Sequence, residues 1–118
     1  MYDYKKAEKH IGKYLEEHGH TLLKYNYKKL PYGEIDIISL KNQTLYATEV
    51  KARTTALEGE DFFRLFSRTK QNKILRTLEI YRKETGQSER NLILLAGIVY
   101  WDRGMAIRKE EVLLWPNA

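Results

Sequence analysis

Glu8, Glu34, Asp36, Glu49 and Lys51 are the residues of this chain whose types and spacing suit chemistry. Asp36 interrupts an apolar run, Glu34-Ile35-Asp36-Ile37-Ile38, and Glu49-Val50-Lys51 lies in the next such run. Read as strands, the first turns Glu34 and Asp36 to one face and Ile35 and Ile37 to the other. In the second, Glu49 and Lys51 share a face with Leu45 and Ala47, opposite Tyr46, Thr48 and Val50. A connecting loop made of Asn42-Gln43, or of Lys41 to Thr44, sets Asp36 across from Glu49 and Glu34 across from Lys51. A loop of intermediate length shifts the register by one and separates them. Two carboxylates facing each other across a strand pair repel unless a cation lies between them. Mg²⁺ or Mn²⁺ takes oxygen ligands of this kind: one or two carboxylates, waters and phosphate oxygens. Asp36, Glu49 and the backbone carbonyl of Val50 would supply them. The ion would acidify a bound water and offset charge in phosphodiester hydrolysis. Lys51 would orient that water or stabilise the developing negative charge. On spacing alone, a salt bridge from Lys51 to Glu34 or Asp36 on a solvated sheet face accounts for the same residues.

The elements that must position these groups are legible from periodicity. Tyr4, Ala7, Ile11, Tyr14 and Leu15 recur at helical spacing and predict a helix from about Tyr4 to His18, ended by Gly19. Lys5, Lys6, Lys9 and Lys13 fall on its outward arc, whereas Glu8 borders the apolar face beside Ile11 and Leu15. So placed, Glu8 is either a partner for a Lys or Arg or a site residue. Strands are expected at Thr21–Tyr27, Glu34–Leu40 and Thr44–Ala52, then a polar loop at Thr54–Asp61. A second helix runs from an N-cap at Ser67 to Glu84, with Ile74, Leu75, Leu78 and Tyr81 on its buried side. Leu92–Tyr100 is apolar on both faces, as an inner strand is, and Asp102-Arg103-Gly104 turns into a short strand at Met105–Arg108. The order α-β-β-β-α-β-β predicts an α/β or α+β sheet with at least one helix packed on it.

The length of 118 residues fits one domain, 1–118, and 42% hydrophobic residues supply its core. Zero cysteines exclude disulfides, thiol catalysis and cysteine-ligated metal clusters. No apolar run approaches the roughly 20 residues of a membrane helix, and Met1–Lys13 lacks the form of a secretory leader. The expectation is a cytoplasmic protein without a membrane partner. Lys and Arg number 21 against 16 Asp and Glu, a net charge of +5 that suits a polyanion. Arg64, Arg68, Lys70, Lys73, Arg76, Arg82 and Lys83 concentrate that excess, opposed by Glu79 alone, as a nucleic-acid footprint or as a solvated helix face. His10, His18 and His20 flank the first helix and read as solvated residues near its end, and core packing explains Tyr25 and Tyr27 more simply than base stacking.

Gly33-Glu34-Ile35-Asp36-Ile37-Ile38 followed by Thr48-Glu49-Val50-Lys51-Ala52-Arg53 resembles the bacterial YraN-like family, which is assigned to the PD-(D/E)XK nuclease superfamily alongside archaeal Holliday junction resolvases. Glu8, with Ile11, Tyr14, Leu15 and Gly19, fits that family's first helix, and Thr69-Lys70-Gln71 with Leu75 fits the start of its second. The resemblance implies a restriction-endonuclease-like three-layer core with a mixed sheet of about five strands. It implies Asp36 and Glu49 as metal ligands joined at the metal by Glu8 as an accessory acid from the first helix, Lys51 as catalytic lysine, and Glu34 as a family-typical residue of less defined role. It places Lys70 and Gln71 near the scissile phosphate. With the basic stretch, the nucleic-acid contacts expected are Arg53, Arg68, Lys70, Gln71, Lys73 and Arg76. The activity implied is Mg²⁺- or Mn²⁺-dependent cleavage of DNA, branched or otherwise structured, by a chain that pairs as a homodimer. A non-catalytic nucleic-acid-binding module on the same fold is the alternative.

Overall fold

Asp3 accepts a hydrogen bond from the Lys6 N–H at 3.1 Å and starts the first helix, α1 (Tyr4–Glu17). The chain then forms β1 (Thr21–Lys29), β2 (Gly33–Lys41), β3 (Thr44–Arg53), α2 (Gly59–Leu65), α3 (Arg68–Glu84), β4 (Asn91–Trp101) and β5 (Ile107–Leu114). The computed structural model describes residues 3–54, 59–103 and 106–115, and of Gly59 and Glu60 the backbone only. The sheet order is β1-β2-β3-β4-β5. β3 and β4 pair in parallel and the other neighbours antiparallel, which makes the sheet mixed. A parallel pair needs a crossover connection, and α2 and α3 lie within it.

The two long helices cover opposite faces. Ala7, Ile11 and Leu15 of α1 bury against Ile37, Val50, Ala52, Leu95 and Val99. Ile74 and Leu78 of α3 bury against Ile35, Ile38, Leu45, Ala47, Ala96 and Ile98. The result is the expected three-layer α/β core. A side chain at Gly97 would press on Ile11 and Thr48, at 3.2 and 3.3 Å, and one at Gly12 would collide with the Tyr25 hydroxyl, so α1 seats closely on the sheet at both points. His10 reaches Glu110 of β5 at 2.8 Å and fixes the helix from the other side.

Several boundaries differ from the expectation. The polar stretch Thr54–Asp61 is not all loop: α2 begins at Gly59, and its other positions, 55–58, lie outside the described residues. Seven residues are too few for a helical period to stand out. β5 extends to Leu114 because its backbone pairs along β4 from Leu95 to Trp101, whatever its charged side chains; Gly104 and Met105 lie outside the described residues. Tyr4 is half exposed, and Gly12 takes the buried place expected of it. Arg64 belongs to α2, where it faces Asp61 at 3.8 Å, so the basic stretch is divided between two helices.

Candidate active site

The hairpin decides where the acids meet. Asn42 and Gln43, both at positive φ (47° and 66°), form the tight turn, and Lys41 pairs with Thr44. This is the register that aims Asp36 at Glu49, but the β2–β3 pairing ends at Ile37–Thr48. Past that pair the strands part. The Asp36 side chain occupies the fork and accepts the Val50 N–H at 2.8 Å.

Strict alternation fails at this point. Ile35 packs on the α3 side and Ile37 on the α1 side, although simple alternation puts them on one face. β1 turns over at the same level: Tyr25 lies over Gly12 of α1, while Tyr27 makes an edge contact with Tyr81 of α3 at 5.1 Å. The residue between them, Asn26, holds φ at 51°, a left-handed conformation that asparagine tolerates better than most residues. Asp36 therefore sits where the ribbon twists, accessible from both layers.

Each layer brings an acid to it. Glu49, on the α3 side, is mostly buried and its carboxyl is pushed up to about 8 by that burial and by the contact and charge of Asp36. Lys51 and Lys70 pull the other way, which places both cations beside it. From α1, Glu8 reaches the same aspartate. Burial, Asp36 and the charge of Glu34 raise its pKa, and a 3.2 Å hydrogen bond from the Asn26 amide opposes them. The acids thus form a chain through the sheet, Glu8 to Asp36 to Glu49. Among the described residues no three acidic or histidine side chains surround one metal position. The unit that fits an ion is the Asp36–Glu49 pair, two carboxylates in contact whose repulsion a proton relieves and a divalent cation would relieve better. Val50 meets Asp36 through its N–H.

Among the described residues no ion pair joins Lys51 to Glu34 or Asp36, so the simple salt bridge allowed by the spacing does not form. Glu34 is exposed. Ser67 caps α3 by accepting the Lys70 N–H at 3.2 Å, and the Lys70 ammonium donates to the Leu65 carbonyl at 3.3 Å. Gln71 and Arg53 are half-buried, the latter donating to the Ala52 carbonyl at 2.6 Å. Arg68, Lys73 and Arg76 are exposed. The histidines hold separate partners: His10 with Glu110, His18 with the Tyr14 carbonyl and His20 with Ser39. Asn26 escaped sequence reasoning. The available signal was an asparagine inside a strand, where that residue is depleted.

The model of UPF0102, an uncharacterised protein family, matches residues 7–99. A UPF0102 protein of Francisella tularensis subsp. tularensis is 38% identical over 84 residues, covering 70% of this chain and 69% of its own length. One from Desulfosudis oleivorans is also 38% identical over 84 residues, covering 71% and 67%. A third, from Campylobacter jejuni, is 40% identical over 76 residues and covers 64% of each chain. The matched span runs from the start of the α1 core to β4 and includes Glu8, Asp36, Glu49 and Lys51. Among the described residues no helix is long and apolar enough to cross a membrane.

Proposed function

The chain belongs to the uncharacterised protein family UPF0102, and we propose that it is a metal-dependent nuclease of the PD-(D/E)XK type that hydrolyses phosphodiester bonds in DNA. The observation that carries this reading is the Asp36–Glu49 pair, in which burial and the neighbouring aspartate hold the Glu49 carboxyl up to about 8. Two carboxyl groups in contact repel each other when ionised, and groups perturbed in this way cluster at functional sites. Asp36, Glu49 and the Val50 carbonyl would hold Mg²⁺ or Mn²⁺, with Glu8 behind Asp36. The bound ion would supply an acidified water and neutralise charge on the phosphate.

The remaining roles belong to the side chains. Lys51, one alternate position along β3 from Glu49, faces the same side and orients the attacking water or stabilises the charge that develops on the phosphate. Lys70 approaches Glu49 from α3 and holds the phosphate from the opposite wall, with Gln71 next to it. Glu8, held by the Asn26 amide of β1, fixes the orientation of Asp36 from the α1 layer, the work of groups that lie behind a ligand. Arg53, Arg68, Lys73 and Arg76 attract the flanking backbone, which makes binding steeply salt-dependent. The protein acts in the cytoplasm, as a homodimer where two strands of a branched substrate are cut.

The test is cleavage of supercoiled, branched and flapped DNA by the purified protein at low salt with Mg²⁺ or Mn²⁺. Product is expected with either metal, and none after Asp36→Asn, Glu49→Gln or addition of a chelator. Cleavage that survives both substitutions refutes the assignment of the site. A second reading, a nucleic-acid-binding module without catalysis, draws on exposed Arg68, Lys73 and Arg76, whose placement does not depend on the carboxylates. It predicts salt-sensitive DNA affinity with no metal requirement and no product.

A further inference from the structure

A groove separate from the carboxylate site lies between the β1–β2 turn and the C-terminal half of α3. It measures about 520 Å³ and is lined by Tyr32, Arg76, Glu79, Ile80, Arg82 and Lys83. The Arg76 guanidinium lies 5.8 Å from the centre of the Tyr32 ring, and Tyr32 remains 41% exposed. Arg82 donates to the Arg90 carbonyl at 2.7 Å, which fixes it in the wall. Lys83 is exposed, its charge open to the groove. Glu79 sits within one helical turn of Arg76, Arg82 and Lys83, so its charge is outweighed and the groove is cationic.

Two connections join the groove to the acids. Gly33, next to Tyr32, packs on α3 at Thr77, and β2 runs on from it to Asp36. Along α3 the groove begins at Arg76, about 9 Å of helix beyond Lys70, which flanks Glu49. At the duplex spacing of about 3.4 Å a strand covers that distance in about three nucleotides, and an unstacked strand covers it in fewer.

We propose that this groove takes a single, unpaired strand of nucleic acid, with backbone phosphate at Arg76 and Lys83 and an unstacked base against Tyr32. The proposal rests on the nuclease reading above and narrows its substrate class to DNA with an unpaired segment near the cleaved bond. Charge alone selects any polyanion. The exposed ring beside a guanidinium selects one with flat aromatic groups, because both surfaces stack on a base. The groove also has the size of a small-ligand cleft, and a duplex keeps its bases stacked inside and cannot present one to Tyr32. An acidic peptide would engage the cations and leave the ring idle.

Binding is measured on full-length Glu49→Gln protein in chelator, using a fluorescent oligonucleotide with 2-aminopurine at its centre, single-stranded or annealed to its complement. The single strand is expected to bind at least about tenfold more tightly than the blunt duplex, with a change in 2-aminopurine emission. Tyr32→Ala weakens it by about tenfold, within the range for loss of one stacked base, and Tyr32→Phe restores it. Lys83→Glu lowers affinity and flattens its salt dependence by about one phosphate contact. Equal affinity for strand and duplex, or no response to Tyr32→Ala, overturns the proposal. So does poly-glutamate competing as well as oligonucleotide, which would make the groove a site for an acidic protein. None of these readouts uses cleavage. A chain that cuts DNA but ignores Tyr32 sinks this proposal alone, and one that binds the strand but cuts nothing sinks the nuclease reading alone.

Discussion

Replacing Glu49 by glutamine tests the carboxyl pair through stability, with no substrate present. In the folded protein Glu49 holds its proton up to about pH 8, against an ordinary value of 4.5. Below 4.5 the folded and unfolded chains both carry that proton, and the group adds no pH dependence. Between 4.5 and 8 the folded chain keeps a proton that the unfolded chain has released, so stability falls as pH rises through this window. Above 8 the loss is complete. At ~1.4 kcal/mol per pKa unit the whole window is worth up to about 5 kcal/mol. Glu49 retains some solvent contact, and the higher effective dielectric there reduces the loss to about 2 kcal/mol. Glutamine cannot ionise and still offers Asp36 an N–H. Glu49→Gln should therefore melt about 8 °C above the parent protein at pH 8.5 and within about 2 °C of it at pH 4.5. Thermal melts followed by circular dichroism in chelator across that range make the measurement. With Mn²⁺ at pH 8.5 the order narrows or reverses, because the ion stabilises the parent pair and has lost a carboxylate in the variant. Parallel melting curves for the two proteins across pH would refute the assignment of a retained proton to Glu49. Equal Mn²⁺ stabilisation of both would refute its role as a ligand.

Other substitutions probe the supports of the site. Glu8→Gln should reduce Mn²⁺ affinity or cleavage about tenfold, as loss of a group behind a metal ligand does, with unchanged affinity for DNA in a metal-free shift assay. Asn26→Ala keeps the β-carbon but loses the polar side chain that lets asparagine tolerate the left-handed region, and should cost about 1 kcal/mol, near 4 °C in melting temperature, along with a loss of activity. Asn26→Gly should hold the melting temperature while sharing the same loss of activity, since both variants lack the hydrogen bond to Glu8; equal destabilisation by the two would contradict the backbone explanation. Ser67→Ala removes the cap of α3 and should cost about 1 kcal/mol in denaturant melts, with weaker DNA binding because Lys70 follows the frayed turn.

The sequence by itself determined the two long helices and the course of the first four strands, and it narrowed the β2–β3 register to the alternatives set by the turn length. Helical spacing with Ser67 at one end and Gly19 at another placed the two long helices, because burial of a stripe and satisfaction of end N–H groups are local requirements. The two-residue Asn42-Gln43 turn seen in the structure then chose the alignment of β2 on β3 from those alternatives, and side chains alternate with a period of two, so the choice sets which faces meet. The sequence also brought forward the acids that the fold draws together, since a carboxylate inside an apolar run is anomalous on residue type alone. Tertiary structure alone decided how those acids meet. Periodicity assigns a residue to a face of its own element and assumes that the face is constant; the turnover at Asn26 and Asp36 breaks that assumption. The opening of the β2–β3 fork depends on strand twist, and the Val50 N–H it leaves for Asp36 follows from that. The approach of Glu8 from one layer and Lys70 from the other depends on helices packing across a sheet. Those contacts join residues far apart in the chain, and no local spacing encodes the distance between them.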